Sequence, residues 1–217
     1  MRSLAEHSPA LAERLKTATA AMHRRVERSG FMVQLLRGEI DRARYVGLLH
    51  NLSALYGALE PALLRHAAQP AIGPVVLPEL FRGPAIDADL RVLLAEPAAP
   101  LAALQPATRR YVERLRALEA VQPNLLVAHA YVRYLGDLNG GQALRRAVAR
   151  GLQLDGDAGT TFYDFGDAAA CGRLMQRFRA GLGALDLQDA DQDAIVAEAV
   201  SAFERHGQLF AELAAAG

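Results

Sequence analysis

The chain has 217 residues, 24 basic and 24 acidic, and one cysteine, Cys171. That balance excludes an overall electrostatic pull toward nucleic acid or an anionic membrane, and the lone cysteine excludes an intrachain disulfide or a cysteine-built zinc site. Hydrophobic residues make up 52% and aromatics only 6%, a mix rich in Ala and Leu that favours an all-α fold over sheet.

Leu11, Leu15, Ala18, Met22 and Val26 recur at helical spacing, which predicts a first helix over about 9–28, closed by Ser29-Gly30. A short helix at 31–37 ends at Gly38, and Asp41 caps a third helix running to about Ala67, with Tyr45, Leu48, Leu52, Leu55, Leu59 and Leu63 on its core face. Prolines at 70, 74, 78, 84, 97, 100 and 106 break the next stretch into short pieces near 78–81 and 87–94. Thr108 is expected to cap a helix to about Ala120, and Pro123 to open another running to about Leu152. Residues 155–166 read as a loop, followed by helices near 167–185 and 189–215. No segment reaches the roughly 20 apolar residues of a membrane span, and the first residues lack a signal peptide's apolar core. The expectation is one domain over 1–217, soluble and cytoplasmic.

The run Leu125–Leu144, LLVAHAYVRYLGDLNGGQAL, is the most informative segment. Gly136, Gly140 and Gly141 each cost a helix interior about 1 kcal/mol relative to alanine. Gly136 and Gly140 share one face, a strip of bare backbone that another helix or a flat ligand could approach closely. Asp137 sits beside it, with Arg133 one turn earlier and Tyr134 three residues earlier, so polar groups are expected to gather around the carboxylate.

Tyr111–Leu115 followed by this run resembles the heme oxygenase family, whose signature is an AHAYxRYLGDLSGGQ-like stretch; Asn139 stands where many members carry Ser or Ala. The resemblance continues at Lys16–Thr19 with Met22-His23, at Phe31-Met32, and at Ala202-Phe203 with Gln208–Phe210. The ending Ala214–Gly217, with no hydrophobic anchor, is similar to the soluble bacterial branch. The resemblance implies a helical bundle that sandwiches heme between a proximal N-terminal helix and a glycine-kinked distal helix. It also implies oxidative cleavage of heme, with dioxygen and electrons from a ferredoxin or flavoprotein reductase, to biliverdin, carbon monoxide and iron. A partner that accepts biliverdin fits the same reading, and neither nucleic acid nor membrane enters it.

Six histidines could ligate the iron. His129 lies on the helix of Gly136, and a straight helix cannot present groups to both faces of one ring, so His129 reads as a packed or bridging residue. His7 falls in a frayed end and His66 among polar residues, leaving His23, His50 and His206 on sequence alone. Glu27, four residues after His23, can hold the imidazole nitrogen that does not bind metal. The resemblance selects His23, since the family's proximal histidine stands in this context. It also assigns Lys16, Arg179 and Tyr131 to the heme propionates and places Tyr56, Arg133 and Asp137 in a distal network acting through water beside Gly136 and Gly140. Gly141 and Phe203 are expected on the pocket wall, and Arg24, Arg25 and Arg179 near the mouth could receive an acidic electron donor. Competing readings are a non-enzymatic heme or tetrapyrrole carrier, a thiaminase-like enzyme using Cys171, and a purely structural bundle.

Overall fold

The computed structural model describes residues 10–94 and 102–216, so His7, Pro97, Pro100 and Gly217 lie outside the described residues. Eight α-helices follow in order: α1 (Leu11–Glu27), α2 (Gly30–Arg37), α3 (Arg42–Arg65), α4 (Gly83–Leu93), α5 (Pro106–Val121), α6 (Leu126–Gly151), α7 (Ala168–Gly183) and α8 (Asp189–Ala215). Short 3-10 turns stand at Gly73–Val75, Pro78–Leu80, Pro123–Leu125 and Thr161–Tyr163, and there is no strand among the described residues. None of these helices is long and apolar enough to cross a membrane.

Leu11, Leu15 and Thr19 bury the inner face of α1, and the Thr19 hydroxyl satisfies itself on the Leu15 carbonyl at 2.7 Å. Asp41 caps α3 as its position predicts, accepting from the Arg44 N–H at 2.8 Å. Gly38 ends α2 in the left-handed region, φ 71°. It is also a point of close packing. A Cβ on Gly38 would stand 2.6 Å from the Ala147 carbonyl, and one on Gly151 would stand 2.3 Å from the Gly38 carbonyl. Two glycines thus let the end of α2 rest directly on the last turns of α6.

Three expectations are corrected. Thr108 does not cap α5: that helix begins at Pro106, and the buried Thr108 hydroxyl donates to Asn51 Oδ1 on α3 at 2.7 Å. The helical piece expected near 87–94 begins earlier, at Gly83-Pro84, because Glu60 on α3 accepts from the N–H groups of Arg82 at 2.5 Å and Gly83 at 3.2 Å. The stretch 155–166 is not simply a loop. Its Thr161–Tyr163 turn is bound by buried Asp89, which accepts from the Thr161 N–H at 2.8 Å and the Phe162 N–H at 2.7 Å. That turn inserts Phe162 and Tyr163 into the core.

The core is one contiguous apolar cluster drawn from all eight helices. α8 runs through its centre, packing against α1 on one side and α6 on another. α1 and α6 barely touch each other. The space between them is the cavity that matters for function.

Candidate functional site

Two adjoining chambers, about 480 and 310 Å³, occupy the gap between α1 and α6. They share His23, Val132, Gly136, Asn139 and Phe203 and so form one cleft. The larger chamber carries Lys16, Arg24 and Arg179 with Tyr131 and one carboxylate, Glu13, which pairs with Lys16; the smaller is mainly apolar, with Phe162, Tyr163 and Phe210 beside Arg133 and Asp137. A slot with one cationic rim and one apolar end suits a flat, largely apolar ligand carrying anionic groups on one edge.

His23 stands on the α1 wall with its ring edge-on to Phe203, centroids 5.7 Å apart. Its Nδ1 lies 3.3 Å from Glu27 Oε2. A carboxylate there favours the tautomer with hydrogen on Nδ1 and leaves the Nε2 lone pair free as a metal ligand. Of the other histidines, His50 and His66 line neither chamber, and His66 pairs with Gln69 at 2.8 Å. His129 is fully buried between Tyr111 and Glu198, in agreement with its reading as a packed residue.

The opposite wall is α6, which stays helical across its glycines. A Cβ on Gly136 would meet no atom within 4 Å, and one on Gly140 only the Leu144 side chain at 3.8 Å. Nothing in the protein itself requires glycine at these two positions, and both line the cleft. Gly141 is different: it lines neither chamber, and a Cβ there would press on the Tyr163 carbonyl at 3.3 Å. Its small size serves the packing of α6 on the Thr161–Tyr163 turn.

Asp137 is buried beside the glycine strip. Arg133 Nη2 donates to its Oδ1 at 2.7 Å, the Tyr56 hydroxyl donates to its Oδ2 in a short contact, and Arg133 Nε donates to the Tyr56 oxygen at 3.0 Å. The three groups close a triangle of direct contacts. Burial pushes the Asp137 carboxyl above its ordinary range, while Arg133 and Tyr56 pull it back. Burial likewise raises the Tyr56 hydroxyl, which keeps its proton. Tyr134 is not in this cluster: its hydroxyl is enclosed without a hydrogen-bond partner, and its ring packs against Tyr56, Phe81 and Phe178.

The cleft therefore brings together His23, Glu27, Lys16, Tyr131, Arg179, Gly136, Gly140, Asp137, Arg133 and Phe203, with Tyr56 reaching it through Asp137 and Arg133. Sequence reasoning missed Phe162 and Tyr163, whose turn was masked by Gly and Asp on either side. It also left His206 undecided, although its spacing from Phe203 and Phe210 on α8 places it on the same face.

The family model for heme oxygenase matches residues 9–212. The chain belongs to the heme oxygenase family. It is 33% identical to heme oxygenase 1 of Nostoc over 203 residues, covering 94% of this chain and 85% of that protein. To human heme oxygenase 1 it is 35% identical over 205 residues, 94% of this chain and 71% of that one. The structure of Synechocystis heme oxygenase-2 in complex with heme and NO superposes with a TM-score of 0.89 at 34% identity, covering 94% of this chain and 85% of that chain. The all-α heme oxygenase fold expected from the signature is thus the fold found.

Proposed function

We propose that this chain degrades heme, opening its ring with dioxygen and reducing electrons to biliverdin, carbon monoxide and iron. One observation carries the reading: His23, its Nδ1 beside Glu27, lines the same cleft as Gly136 and Gly140, whose missing side chains leave open space that the protein itself does not fill. Heme, when bound, supplies the iron that activates dioxygen and the ring that is cut. His23 would hold the iron, oriented by Glu27, while Lys16, Arg179 and Tyr131 at the charged rim would hold the propionates.

The distal wall offers backbone where another enzyme would place an acid or base. Asp137 is pinned by Tyr56 and Arg133, so it orders water near the glycines and delivers protons indirectly. The bare strip of Gly136 and Gly140 would leave room beside the ring for dioxygen and water. Electrons would come from an acidic ferredoxin or flavoprotein docked near Arg24, Arg25 and Arg179, in a cytoplasmic setting. The test is to load the chain with heme, add reductant and air, and identify the product. Conversion to biliverdin is expected; a stable oxygen complex that never bleaches identifies a carrier instead.

A further inference from the structure

A buried polar line runs behind the distal wall and ends at the cleft. Arg114 donates to both oxygens of Glu198, at 3.2 and 2.6 Å. Glu198 Oε1 lies 3.1 Å from His129 Nε2, His129 Nδ1 lies 2.9 Å from the Tyr111 hydroxyl, and that hydroxyl lies 3.3 Å from Nε2 of His206. His206 is 2% exposed, lines the apolar chamber, and its Nδ1 has no hydrogen-bond partner.

Each hydrogen on this line is decided by its neighbour. A carboxylate only accepts, so His129 must donate through Nε2, which makes its Nδ1 the acceptor when the ring is neutral. Tyr111 then gives its proton to His129 Nδ1, and its oxygen accepts from His206 Nε2–H. Hydrogen on Nε2 leaves His206 Nδ1 bare. We infer that Glu198, His129 and Tyr111 form a tautomer lock that commits the single N–H of His206 to Tyr111 and leaves that histidine no proton to give to the cleft.

The charge states fit this order. Burial pushes Glu198 up, but hydrogen bonds from His129 and Arg114 bring it down to about 2, so it stays an acceptor. Burial drives His129 and His206 below the ordinary histidine value, and it keeps the Tyr111 hydroxyl protonated. The functional consequence rests on the proposed heme reaction. A histidine able to protonate dioxygen directly would favour O–O cleavage over attack on the ring; locked, His206 leaves proton handling to Asp137, Tyr56 and Arg133.

The lock is tested on heme-free protein carrying 15N-histidine, by long-range 1H–15N correlation spectra that distinguish hydrogen on Nε2 from hydrogen on Nδ1. The His206 signals are assigned by their loss in His206→Gln, or in His206→Asn should the first variant fail to fold. Hydrogen on Nε2 is expected in the parent chain. In Tyr111→Phe the second tautomer should rise about five-fold, the ratio that one lost hydrogen bond of about 1 kcal/mol commands. Hydrogen on Nδ1 or a doubly protonated ring in the parent chain overturns the lock, as does an unchanged tautomer ratio in Tyr111→Phe. In the heme-loaded enzyme Tyr111→Phe should yield less biliverdin per heme consumed. A parent chain that shows the expected tautomer yet never converts heme refutes the proposed function and leaves the lock standing.

Discussion

Asp137 receives two hydrogen bonds, from Tyr56 and Arg133, in a place where burial alone would favour its neutral form. Its replacement by alanine leaves the α1 wall, His23 and the cationic rim untouched. Heme uptake by Asp137→Ala should therefore match the parent, while biliverdin formed per heme consumed falls by about a hundred-fold, the scale of a positioned proton donor. A parent-like biliverdin yield would remove Asp137 from the chemistry. Glu198 makes a prediction for acid stability. Its folded value, about 2, lies below the ordinary 4.5. The stabilisation it provides is complete above pH 4.5 and is lost as pH falls from there toward 2. Urea unfolding across that window should show a steeper acid loss for the parent than for Glu198→Gln; identical slopes would mean that the Arg114–Glu198–His129 contacts contribute nothing.

At the scale of elements, the helices legible in the sequence are those whose signals are local. Asp41 and Gly38 bracket their helices through bonds to near neighbours, and the stripe of α1 and the core face of α3 follow from spacing alone. What escaped was supplied from a distance. Glu60 reaches 22 residues ahead to the start of α4, Asn51 reaches 54 residues to Gln105 at the start of α5, and Asp89 holds a turn 72 residues away. No window of sequence shows such partners, so local signals alone make Thr108 read as a cap and Thr161–Tyr163 as part of a loop. Glycines divide in the same way: Gly136 faces open space, whereas Gly141 and Gly151 press against backbone. Alanine at 136 should stabilise the heme-free chain by about 1 kcal/mol through helix propensity, and leucine there should block heme uptake. Alanine at 151 should destabilise by about 1–3 kcal/mol, because the Gly38 backbone in its way has to move. Urea unfolding of the heme-free proteins measures both signs. Destabilisation by Gly136→Ala would make the strip a packing device and not a ligand wall.

For the whole molecule, the decisive arrangement is that α8 packs against both α1 and α6 and so holds them apart. The signature run in α6 reveals one wall of the resulting cleft and the His23–Glu27 pair reveals the other. Their separation is a property of the assembled bundle, since neither helix encodes the distance to its opposite. The same geometry puts Lys16 and Arg179 in one chamber, Asp137 and Gly140 in the other, and Gly136 on the wall that both share, so a ring held by its propionates in the first would lie with one face along the glycines. All of this requires the His23 imidazole to be the group that takes the iron. The direct measurement is the absorption spectrum of heme bound to His23→Ala, with and without added imidazole. The account predicts a spectrum altered by the substitution and restored by imidazole together with turnover. A spectrum identical to that of the parent chain would contradict it.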